Sequence, residues 1–233
     1  MGVTIGDNGQ AGVKSLTVIC SDCARNGKTL FAKLNADLLA LRNGERPQIF
    51  DTDHPDGAIA HHFPDVTTIV DLRQTRQQVA VFDGILNAED GHFVVDLAAR
   101  SFRMFFDVYV DIGFADGARE AGVDTTIYYL VDRHGSSVDH LLALRERLRG
   151  TTIVPVLNHA LGDPLGDPHV HNSYSRAHFD RDIRLPDLSA ESLGVLEHRD
   201  FHFDEFVAGR LDNLPFEIRA ELWTFLEVLY DQR

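Results

Sequence analysis

Apolar positions along the chain follow two alternating rhythms. Short β-rich runs, LTVIC (16–20), PQIFD (47–51), VTTIVDL (66–72), HFVVDLAAR (92–100), TTIYYLVDR (125–133) and TTIVPVLN (151–158), predict strands. Between them the spacing turns helical. Phe31, Leu34, Leu38 and Leu41 mark a helix that Asn43-Gly44 ends, and Val138, Leu141, Leu144 and Leu148 share one face of SSVDHLLALRERL (136–148). TRQQVAVFDGIL (75–86) and SFRMFFDVYVDIGF (101–114) also read as helices. Such alternation from residue 16 to about residue 158 predicts an α/β fold: a mostly parallel sheet with helices on both faces and right-handed crossovers. In that architecture ligands gather at the carboxyl ends of the strands.

The rhythm breaks between His159 and Asp182, where Gly, Pro, His and Asp predict a long surface loop or lid. DIRLP (182–186) predicts a last strand, and SAESLGVLE and LPFEIRAELWTFLEVLY predict closing helices. In the final helix Leu222, Phe225, Leu226 and Leu229 surround Trp223, while the polar face carries mostly Glu and Asp. That composition points to core packing or a protein interface and away from a membrane surface, which would favour Lys and Arg.

Length and charge narrow the picture. A chain of 233 residues with 44% hydrophobic positions suits a single globular domain, expected over 15–233 behind a flexible glycine-rich leader at 1–14. The leader lacks an apolar h-region and no apolar run approaches membrane-spanning length, so a cytoplasmic protein is expected. The net charge of −14 disfavours direct binding to DNA or anionic lipid and makes a protein the expected macromolecular partner.

Chemistry concentrates after the first strand. Gly27, Lys28 and Thr29 stand at a strand-to-helix junction, the layout of the phosphate loop G-x-x-x-x-G-K-[ST], with Asp22 in place of the first Gly. Asp51-Thr52-Asp53-His54-Pro55-Asp56-Gly57 follows the second strand, and VVDLAA (94–99) ends a later one at Asp96. VPVLN (154–158) and IRLPDL (183–188) come last. In this order the segments resemble those of the ParA/MinD-type P-loop ATPases, with their K-G-G-x-G-K-T loop, D-x-D-P-Q-G strand end, acidic third strand end, and base-reading Asn and Pro. The likeness covers residues 16–188.

The resemblance implies a P-loop NTPase fold, ATP and Mg²⁺ as cofactors, and a nucleotide-dependent switch for partition, positioning or plasmid transfer through protein partners, with a possible nucleotide-dependent homodimer. The loop Ala24, Arg25, Asn26, Gly27, Lys28, Thr29 and Leu30 would bind phosphate, and Asn158 and Pro186 the base. Lys28 would meet the terminal phosphates. Thr29, Asp51 and Asp96 would hold Mg²⁺, directly or through water, and Asp51 or Asp53 would orient the attacking water.

Departures from the pattern matter as well. Cys23 stands where the family has a Lys that reaches the partner's nucleotide, and Arg25 or Arg100 could supply the missing charge. Ala24 and Arg25 replace loop glycines, which restricts φ and predicts slow turnover. Two other readings stay open: an ATP-dependent small-molecule ligase or kinase with a substrate pocket built from 159–182, and a non-hydrolysing nucleotide-binding scaffold. Cys20 and Cys23 form C-x₂-C without a second pair, and neither His54, His61 and His62 nor His169, His171 and His178 show four-ligand spacing, so no transition metal is assigned.

Overall fold

The computed structural model describes residues 14–132, 135–211 and 213–232. Its strands are β1 (Lys14–Cys20), β2 (Gln48–Asp51), β3 (Thr67–Ile69), β4 (His92–Asp96), β5 (Val123–Val131), β6 (Thr152–Asn158) and β7 (Ile183–Leu185). They form one seven-stranded sheet in the order β3-β2-β4-β1-β5-β6-β7, every pairing parallel. The α/β architecture expected from the alternating pattern is therefore present. The sequence leader lies outside the described residues except for Lys14, which belongs to β1.

Parallel strands are buried on both faces, so each alternate residue feeds a different core. Leu16, Val18, Phe93, Val95, Tyr129 and Val131 point into one core. It is covered by α2 (Thr75–Asn87), α3 (Phe102–Asp111), α4 (Phe114–Glu120), α5 (Gly135–Arg147) and α6 (Pro168–Ala177). Ile19, Ile49, Val94, Leu130 and Val156 point into the other, beneath α1 (Lys28–Asn43), α7 (Ala190–Glu197), α8 (Phe203–Val207) and α9 (Phe216–Asp231). Each fully buried aliphatic side chain contributes about 1.5–3 kcal/mol. The same alternation puts Asp51 and Asp96, which are register partners across β2 and β4, on the α1 side with Ile49 and Val94.

Two expectations are corrected. The stretch 101–114 is not one helix: Gly113 adopts φ 65°, ending α3 and starting α4, and Phe105, Tyr109 and Phe114 then close around Phe82 with ring centroids 5.0–5.2 Å from it for the two phenylalanines. The stretch 159–182 is not an irregular lid either. It holds a 3₁₀ turn at His159–Leu161 and then α6, whose N-cap Asp167 accepts from the amides of His169 and Val170. Asp167-Pro168 is an N-cap followed by proline at N1, a helix start that the surrounding Gly and Pro masked. In α9, Leu222, Phe225, Leu226 and Leu229 are buried, which decides for core packing. No helix among the described residues is long and apolar enough to cross a membrane.

Candidate functional site

β1 lies at the centre of the sheet, between β4 and β5, so the chain leaves its carboxyl end beside a crevice where strand order changes direction. Residues 21–27 cross that crevice and enter α1 at Gly27, whose φ of 93° is a left-handed conformation. A Cβ at Gly27 would sit 3.0 Å from Asn158 Nδ2, so space as well as φ calls for glycine here. Arg25 also takes a positive φ, 57°, without a glycine's freedom.

Buried side chains shape the loop. Asn26 donates from Nδ2 to the Leu130 carbonyl at 3.4 Å, accepts from Lys28 Nζ at 3.0 Å on its side-chain oxygen, and accepts from Asn158 Nδ2 at 3.0 Å on its backbone oxygen. Lys28 Nζ donates as well to the Cys23 carbonyl. Burial lowers the Lys28 pKa, with Asp96 the largest opposing charge. Asp22, in the place of the expected first glycine, accepts from the Tyr129 hydroxyl and lies against His140 Nδ1, tying the loop to β5 and α5. The backbone amides of residues 24–30 have no intramolecular hydrogen-bond partner among the described residues. A run of unpaired amides ahead of a helix is an anion-binding arrangement.

The same residues, 24–30, line a cavity of about 790 Å³ whose walls also include Lys33, Asp53, Asp96 and Arg100. Thr29 Oγ1 donates to Asp96 Oδ2 at 2.8 Å. Burial pushes the Asp96 carboxyl up to about 7, and the nearby Asp51 carboxylate adds to the effect. Thr52 braces this strand end: its hydroxyl donates to the Asp96 carbonyl at 3.2 Å and accepts from the Ala98 amide at 2.8 Å. Asp53 is paired with Arg100 at 2.6 Å, and both side chains are substantially exposed to the cavity mouth.

The predicted site residues thus separate into two groups. Ala24, Arg25, Asn26, Gly27, Lys28, Thr29, Leu30, Asp53 and Asp96 line one cavity. Asp51 lies behind it, wholly buried, with its oxygens accepting from the amides of Asp53 at 2.9 Å and Ile59 at 3.0 Å. Asn158 supports the loop from the rear through Asn26, and neither it nor Pro186 is among the lining residues. No residue from 159–182 lines the cavity.

Contributors that motif reading overlooked come from α1 and the far end of the chain. Lys33 Nζ donates to the carbonyls of Leu196 at 2.9 Å and His198 at 3.1 Å, and lies 3.1 Å from His62 Nδ1. Burial lowers Lys33 to about 8 and, with Lys33 alongside, His62 to about 4. Leu196 and Glu197 close that wall. The only sequence signal was Lys33 falling four residues after Thr29, on the same helical face. Cys20 is buried and burial raises its thiol; burial, then Asp132 and Asp22, push Cys23 up to about 12, so both are neutral thiols at pH 7. A scan against family models gives no match to the chain, and neither does a search of the curated proteins, so a function for it is argued from this geometry.

Proposed function

We propose that the chain is a P-loop ATPase of the ParA/MinD type, a slow ATP hydrolase whose bound state switches contacts with protein partners in partition, positioning or plasmid transfer. One observation carries the reading: residues 24–30, whose amides have no intramolecular partner among the described residues, line a single cavity together with the Thr29–Asp96 pair. Main-chain N–H groups at a helix start take phosphate oxygens without side-chain help. Lys28 would exchange the Cys23 and Asn26 oxygens for the terminal phosphates.

Thr29 and Asp96 present hard oxygen donors 2.8 Å apart, a set that suits Mg²⁺. Bound there, Mg²⁺ would neutralise charge on the phosphates. Asp53 faces the cavity mouth and is the better placed of the two loop aspartates to orient water, since Asp51 spends both oxygens on loop amides. Arg100, held by Asp53 and the His54 carbonyl, would supply the positive charge that Cys23 cannot.

A second reading, binding without turnover, is favoured by the strained Arg25 and the committed Asp51. Phosphate release by purified protein with ATP and Mg²⁺ tests both. The ATPase reading expects Mg²⁺-dependent release that Lys28→Ala abolishes. Tight binding of ATP with no release would replace it by the scaffold reading, and no binding at all would sink both.

A further inference from the structure

A second group of donors lies farther along α1, at Asp37, about 13 Å from Lys28 at the 1.5 Å rise of a helix. Asp37 is completely buried. Its Oδ2 accepts from the Phe203 amide at 2.8 Å, capping the start of α8. Its Oδ1 faces the buried Nδ1 of His202 at 3.5 Å, and neither atom has a hydrogen bond to any other group. Asp204 adds a third donor, and one ligand atom from each of the three residues lies within 4.8 Å of the others.

A carboxylate oxygen and an imidazole nitrogen buried with only this long contact between them are poorly satisfied, which costs free energy. A divalent cation between them would satisfy both atoms at once. One imidazole nitrogen with two carboxylate oxygens suits Zn²⁺ better than Mg²⁺, with water in the fourth position. Asp204 is shared: Arg46 Nη2 lies 3.4 Å from its Oδ2, and its Oδ1 accepts from the Glu205 amide at 2.9 Å. Arg46 is itself held over the Phe63 ring, 5.0 Å from the centroid.

We propose that Asp37, His202 and Asp204 form a Zn²⁺ site that clips α8 to the helix following the phosphate loop. α8 has five residues, too few to be stable by its own hydrogen bonds. The clip does not depend on the nucleotide reading, because none of its ligands lines the cavity.

Titration of chelator-treated full-length protein with Zn²⁺, and with Mg²⁺ for comparison, tests it without nucleotide. The expected result is one equivalent of Zn²⁺ bound, a rise in thermal midpoint that chelator reverses, and affinity weaker by more than about tenfold in His202→Gln. Twelve histidines and the Cys20–Cys23 pair offer rival ligands, so Co²⁺ spectra identify the donors. The wild type should show d–d bands without thiolate charge transfer, lost in His202→Gln. Asp204→Asn, at the partly exposed edge of the cluster, provides the same comparison should His202→Gln fail to fold. Lys28→Ala should keep Zn²⁺ binding whatever becomes of ATP. Absence of Zn²⁺ binding, a thiolate spectrum, or unchanged affinity in the variants would overturn the site.

Discussion

Arg25 and Gly27 occupy the same left-handed backbone region two residues apart, yet only one of them is glycine. A side chain in that region costs about 1–2 kcal/mol. Arg25→Gly should therefore raise stability by up to about 1 kcal/mol in urea unfolding and strengthen nucleotide binding, the loop becoming closer to the glycine-rich pattern. Gly27→Ala should lose about 1–3 kcal/mol, combining the φ penalty with the close contact at Asn158. At Asp96 the acid is raised from 3.8 to about 7. Between those values the folded chain holds a proton that the unfolded chain has released, so its contribution to stability falls as pH rises from 3.8 to about 7, then levels off. Mg²⁺ bound at Asp96 as proposed would compete with the same proton, so Mg²⁺ affinity should rise through that window, and Asp96→Asn should flatten both dependences when calorimetry is repeated at several pH values. Gly27, Lys28, Thr29, Asp53 and Asp96 were legible in the sequence because motifs fix them locally. The tethers of Asn26 to Leu130, of Asp22 to Tyr129 and of Lys33 to Leu196 were not, because those partners lie more than a hundred residues away.

Elements were legible where one period dominated. β1, β4, β5 and β6 stand close to their predicted spans, since buried parallel strands are short continuous apolar runs that turn signals bound. α3 emerged despite aromatic and β-branched residues because Phe105, Phe106 and Tyr109 find a packed environment that overrides propensity. α6 was hidden because its start signal sits among residues that favour loops, and α8 because five residues carry no periodicity. Lys33 shows how elements cooperate: from within α1 it holds the last carbonyl groups of α7. Lys33→Met would keep the apolar stem and leave those carbonyls short of a donor, a loss of about 1–3 kcal/mol. Hydrogen exchange should then rise at the end of α7 while the β-sheet stays protected.

The whole molecule carries a charge of −14, whereas Lys28, Arg25 and Arg100 gather at one cavity. A small cationic pocket in an acidic surface can hold a compact polyanion but cannot track a long one. The chain should not retard duplex DNA at physiological salt, with or without ATP, and multi-angle scattering should detect a nucleotide-dependent dimer if Arg100 serves across a subunit boundary. The sheet order shows why the motifs fall in one place: β1, β4 and β2 are neighbours, so three segments widely spaced in sequence end at the same edge. By contrast, every segment that suggested a family ends by residue 188, and the wall formed by Leu196 and Glu197 comes after it. A fragment trimmed at that boundary would retain all the recognisable letters, yet lack one side of its vessel and leave a core ammonium stripped of its two carbonyl acceptors. Minimal versions of this protein should therefore keep the segment that follows residue 188.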